Sequence, residues 1–83
     1  MITAKSNRFD AIDTGILYYN IGKGMYFKGM YDQAIENLNR SIYFMPNEAP
    51  VYFLLGELYK LKNMPEKSAS SLKFAHDLKQ GRF

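Results

Sequence analysis

The chain has 83 residues, a formal net charge of +3, 47% hydrophobic and 16% aromatic content, and no cysteine. That apolar content argues against disorder, while the length allows one small domain, near the size at which a single core becomes marginal. The lack of cysteine excludes a disulfide framework and a thiolate metal site, and nothing favours secretion. No apolar run approaches the ~20 residues of a membrane span, and the opening MITAKSNRFDAI lacks the apolar stretch of a signal peptide. The expectation is an intracellular, cytoplasmic protein.

Charge is unevenly placed. In residues 1–48 Lys5, Arg8, Lys23, Lys28 and Arg40 cancel Asp10, Asp13, Asp32, Glu36 and Glu48, so the excess lies in residues 49–83. A basic second half favours acidic partners, or is simply a solvated helical face.

Residues 1–14 are of mixed polarity, with Phe9 and Ile12 as their apolar anchors. They read as an N-terminal extension, either a short turn of helix packed on the first long helix or a frayed terminus. Asp13 or Thr14 is the expected N-cap, its side-chain oxygen taking an orphan N–H of the next turn. A first helix is predicted from Gly15 to Lys28, with Leu17, Tyr18, Ile21 and Met25 as one buried stripe at spacings of three and four. Gly22 and Gly24 lie inside it, each costing about 1 kcal/mol against Ala, so close packing is the expected reason for Gly22.

Lys28-Gly29-Met30 is the next turn, with Gly29 free to take positive φ. The second helix carries Tyr31, Ala34, Ile35, Leu38, Ser41 and Ile42 as its stripe. Asp32 and Glu36 suit its positive end, and Pro46 stops it. A third helix opens at Asn47 or Glu48, tolerates Pro50 in its first turn, and buries Val51, Tyr52, Leu55, Leu58 and Tyr59. Asn63-Met64-Pro65 is another turn. The fourth helix is expected to use Ala69, Leu72, Ala75 and Leu78, and to stop at Gln80-Gly81-Arg82.

The halves are copies in register. Tyr18, Gly22, Lys28, Met30 and Leu38 recur as Tyr52, Gly56, Lys62, Met64 and Leu72, all 34 residues later. This resembles the tetratricopeptide repeat (TPR) pattern W-x2-L-G-x2-Y, A-x3-F, P within a 34-residue period. In the first copy Tyr18 stands for the Trp, Ile21-Gly22 for the Leu-Gly pair and Met25 for the Tyr, with Ala34, Leu38, Ser41 and Pro46 in the remaining slots. In the second, Tyr52, Leu55, Gly56, Tyr59, Leu72 and Ala75 match, while Ser68 replaces an Ala and Gln80 the terminal Pro. The resemblance implies an all-α fold of two tandem helix-turn-helix hairpins in a right-handed superhelical array, with repeats at 15–48 and 49–82. APVYFLLGELYKLKN is also similar to a late repeat of the TPR subunits of the anaphase-promoting complex and of the TPR chaperones of type III secretion.

TPR proteins of this kind are scaffolds without chemistry of their own, and the first helix of each repeat lines a concave groove. The resemblance therefore implies a non-catalytic protein–protein interaction role, with groove positions Tyr19, Lys23, Tyr26, Phe27, Phe53, Glu57, Lys60 and Leu61. A secretion chaperone or a subunit of a larger assembly is the alternative within the family. Tyr19, Phe53 and Leu54 stand where carboxylate-clamping members carry polar groups, so an apolar or aromatic peptide suits the groove better. The other reading is that Tyr19, Tyr26 and Phe27 pack on a neighbouring helix. The resemblance calls for no cofactor.

Other chemistry finds little support. His76 has no ligands of the right type at helical spacing for a metal, and GKGMYFKG lacks the order of a phosphate loop. Nucleic-acid binding by the basic second half is the rival class, but its lysines do not form one continuous helical face. Two repeats fall short of the about three that such arrays usually need. Phe74 and Leu78, four apart, make a second apolar line on the fourth helix, and Phe83 adds another apolar group. The expectation is self-association through Phe74 and Leu78 as a two-fold dimer, or cover by a longer array or a partner subunit.

Overall fold

The computed structural model describes residues 8–81, and these form four helices: α1 (Arg8–Phe27), α2 (Tyr31–Phe44), α3 (Ala49–Leu61) and α4 (Pro65–Gln80). Among the described residues there is no strand, as the periodicity predicts. The side chain of Phe9, together with Arg82 and Phe83, lies outside the described residues. α1 packs on α2 and α3 on α4, and the two hairpins meet chiefly through α2 and α3.

Each hairpin is closed by the same turn. Gly29 takes φ 77° and Asn63 takes φ 60°, the left-handed conformation that Gly adopts freely and Asn more readily than most residues. Met30 N–H donates to the Met25 carbonyl at 2.9 Å, and Met64 N–H to the Tyr59 carbonyl at 2.8 Å. The next helix starts alike in both, with Ala34 N–H on Met30 O and Ser68 N–H on Met64 O. The 34-residue register of the sequence is thus also a register of backbone hydrogen bonds.

Close approach inside each hairpin depends on a glycine at the same register position. A Cβ on Gly22 would lie 2.9 Å from Leu38 Cδ2 and 3.1 Å from the Ala34 carbonyl oxygen; one on Gly56 would lie 2.5 Å from Leu72 Cδ2. Leu38 fills that contact and is fully buried, together with Ala34, Val51, Leu55 and Leu58, which form the core shared by the hairpins. Serines fasten the helices further. Ser41 Oγ donates to the Gly15 carbonyl and Ser68 Oγ to the Gly56 carbonyl, both at 2.8 Å and both buried. Among the described residues no buried side-chain nitrogen or oxygen lacks a partner.

The structure corrects several expectations. α1 begins at Arg8, so residues 8–14 are part of it and not a separate cap. Asp13 and Thr14 are therefore interior, not N-caps, and the Thr14 hydroxyl donates back to the Asp10 carbonyl at 2.9 Å. The buried line of α1 runs through Gly15 and Gly22 beside half-buried Tyr18 and Met25, while Leu17 and Ile21 are exposed. Apolarity at helical spacing points to Leu17 and Ile21, but it is a weak guide in a helix that is apolar nearly all round. In α4 Ser68 is buried and Ala69 exposed, the reverse of the expectation, because Ser68 reaches the Gly56 carbonyl.

Phe74 is half-buried and packs edge-on against Tyr52 of its own hairpin, with ring centroids 4.6 Å apart. In register, Phe74 corresponds to Arg40, which lies over the Tyr18 ring at 5.8 Å. Leu78, also half-buried, corresponds to Phe44, which stacks on Tyr18. The α2 residues in register with the other flank of α4 are half-buried Tyr31, Ile35 and Ile42, whose counterparts are Pro65, Ala69 and His76, all exposed. A further hairpin docked as α3 docks on α2 would meet those three and not Phe74 and Leu78.

Two measurements probe this packing. Gly22→Ala is expected to destabilise the fold by about 1–3 kcal/mol through overpacking against fully buried Leu38 and the Ala34 carbonyl, whereas Gly24→Ala, with open space around its Cβ within the chain, gains about 0.5–1 kcal/mol of helix propensity in dilute, monomeric solution. Leu38→Ala costs roughly 2–5 kcal/mol; urea midpoints of the three variants give the order. Tyr52 supplies the second. Its hydroxyl donates to the Pro46 carbonyl at 2.6 Å, and burial pushes its pKa above the ordinary 10.0. Because the folded state favours the neutral phenol, its contribution is complete below the unfolded pKa and is lost as pH rises through the folded one. Tyr52→Phe should cost about 1 kcal/mol near neutrality and flatten the loss of thermal stability at alkaline pH.

Candidate functional site

Side by side, α1 and α3 leave an open cleft of about 660 Å³ between them, with the end of α4 at its edge. Tyr19, Lys23, Tyr26 and Phe27 come from α1, a stripe one step round from the glycine line that packs on α2. Phe53 and Glu57, one turn apart on α3, face them across the cleft. These are six of the expected groove positions. Lys60 and Leu61 are exposed beyond the cleft and do not line it.

Leu54, expected at a clamp position, also lines the cleft, and sequence reasoning misses Ala49, Pro50 and Lys79, which complete the lining. Ala49 and Pro50 precede Phe53 by one helical turn, so continuing the stripe backwards finds them. Lys79 has no such signal. It enters from α4, and only the folding of that helix along α3 brings its Nζ to 5.9 Å from the Phe53 ring centroid. A second, smaller hollow of about 340 Å³ shares Tyr19 and Pro50 with the main cleft and extends it past Ile12, Ile16 and Met45.

The chemistry of the cleft is aromatic, with a few charges at its margins. Phe27 is 76% exposed, with Tyr26 edge-on to it at 5.2 Å between centroids. Lys23 Nζ sits over the Tyr19 ring at 5.3 Å, as Lys79 does over Phe53. Both ammonium groups keep to aromatic faces and neither has an acidic partner among the described residues. Glu57 is likewise outside any ion pair among the described residues. Such a surface can hold an apolar or aromatic segment by burial and stacking, with charges free to meet the segment's own.

Phe74 and Leu78 belong to the other flank of α4 and not to this cleft. His76 is exposed. Among the described residues no three His, Asp or Glu side chains gather where a metal could be held. No described helix is long and apolar enough to cross a membrane. Comparison of the chain with protein-family models, with curated proteins and with solved structures finds no match.

Proposed function

We propose that the chain is a non-catalytic scaffold of the TPR type, two repeats stacked with a right-handed superhelical sense. It captures an apolar or aromatic peptide segment of a protein partner in the cleft between α1 and α3. The observation that carries this reading is the cleft itself: exposed rings from both first helices of the hairpins line one continuous surface. The recurrence of turn geometry, of glycine–leucine contacts and of hydrogen bonds at 34-residue spacing supports the repeat assignment. In a body only 14 Å across its thinnest extent, these rings have no second layer to cover them.

A peptide-display selection on the intact chain tests the proposal. Selected peptides should be rich in aromatic and large aliphatic residues. Their affinity should fall at least tenfold on Tyr19→Ala with Phe53→Ala, a pair of hot-spot truncations, with helicity by circular dichroism unchanged. Peptides that bind the double variant equally well would move the site off this cleft. Nucleic acid, the rival partner, predicts affinity that drops steeply with salt as counterions are released. Tight, salt-sensitive binding of a mixed-sequence oligonucleotide with no peptide selected would replace the scaffold reading.

A further inference from the structure

The 34-residue register shows where the two hairpins differ as well as where they agree. On α3, Val51, Leu55 and Leu58 are exposed by only 1%, 3% and 0%, in the core that α2 helps to close. The corresponding positions on α1 are Leu17, Ile21 and Gly24. Leu17 is 56% and Ile21 37% exposed, and a Cβ on Gly24 would meet nothing. The chain builds this face twice and covers it once.

The covered copy shows what suits the face. α2 and α3 are joined by residues 45–48 alone, so α2 lies antiparallel on α3. One end of the pair is tied by charge: Lys62, just past the C-terminus of α3, places Nζ 2.9 Å from Oδ1 of Asp32 in the first turn of α2. Lys28 is the register counterpart of Lys62, just past the C-terminus of α1, and it has no acidic partner among the described residues.

α1 can itself be the missing cover. Its outer stripe reads Asp10, Thr14, Leu17, Ile21, Gly24, Lys28, at alternating spacings of four and three. Turned end for end, the stripe matches itself. Leu17 comes opposite Ile21, Thr14 opposite Gly24, and Asp10 opposite Lys28. An acid in the first turn of the covering helix then faces a lysine past the end of the covered one, as in Asp32–Lys62. Asp10 already has a partner in its own chain. A carboxylate offers about four lone-pair sites, so Lys28 adds to that partner without displacing it.

We propose that the chain forms a two-fold dimer through α1, the two copies of the helix packed antiparallel across Leu17 and Ile21, with reciprocal Asp10–Lys28 pairs at the ends. Apolar burial drives it, Gly24 opposite Thr14 lets the backbones approach, and the solvent-exposed ion pairs fix register more than affinity. The interface is not the Phe74–Leu78 surface expected from the sequence. Tyr19, Lys23 and Phe27 lie on a different stripe of α1, so the dimer leaves both clefts open.

Sedimentation equilibrium of the intact chain from micromolar to millimolar concentration tests the proposal. Molar mass should rise to twice that of the chain and stop. Leu17→Asp, at an exposed position, should keep full helicity and stay monomeric. Lys28→Glu should weaken the dimer roughly threefold to tenfold, and adding Asp10→Lys should restore it. Because the chain has no cysteine, Leu17→Cys mixed with Ile21→Cys should cross-link on oxidation faster than Leu17→Cys alone, the signature of the antiparallel register. A chain that stays monomeric at millimolar concentration overturns the proposal. So does mass growing past two, which means head-to-tail stacking, or a Leu17→Asp variant that dimerises like its parent.

Discussion

Gly22 facing Leu38, and Gly56 facing Leu72, set the distance between helices in each hairpin, and most other features depend on that distance. A glycine inside a helix costs about 1 kcal/mol of propensity, so its place must be offset by what the absent side chain admits. Here it admits a leucine against backbone, and it brings serine hydroxyls within 2.8 Å of the facing carbonyls of Gly15 and Gly56. With the helices this close, the connecting turn must be short. The left-handed residue it then needs is Gly29 in one hairpin and Asn63 in the other.

The resulting array is flat, 49 × 33 × 14 Å in extent, and flatness governs what the surface can do. Side-by-side helices have no second layer, so each keeps one or more faces in water whatever its composition. α1 is apolar nearly all round. It packs one stripe on α2, presents a second of Tyr19, Lys23 and Phe27 to the cleft, and leaves Leu17 and Ile21 on a third. α4 differs. Its outer flank of Pro65, Ala69 and His76 is small or polar, in place of the Tyr31, Ile35 and Ile42 with which α2 meets its neighbour. The two ends of the array are therefore unlike: the α4 end is finished with residues that tolerate water, and the α1 end is not.

Charge obeys the same geometry. The basic excess of the second half does not gather on one face. Lys62 pairs with Asp32 and Lys73 with Asp77, while Lys67 and Lys79 lie over the rings of Tyr59 and Phe53. Four of the lysines thus act singly, each against a local acid or ring, and Lys60 stands exposed. This dispersion favours a partner read by shape and apolar contact over one read by a continuous positive field.

The helical class, the four helices, the two Gly/Asn turns and the 34-residue register are all legible in the amino-acid order, because they rest on local rules: periodicity, positive φ and proline placement. The same rules place Ala34, Leu38, Val51, Leu55 and Leu58 in the core, and resemblance places six of the cleft residues. Which face of α1 is buried needs the packed helices, since in a helix with large apolar side chains on several sides the glycines, and not those side chains, mark the contact. Packing also extends α1 back to Arg8, puts Ser68 inside and Ala69 outside, and brings Lys79 to Phe53. Phe74 against Tyr52 is of this second kind too. Which flank of α4 faces its own hairpin depends on how the helix is rotated in the array, and that rotation is fixed by packing between elements distant in the chain.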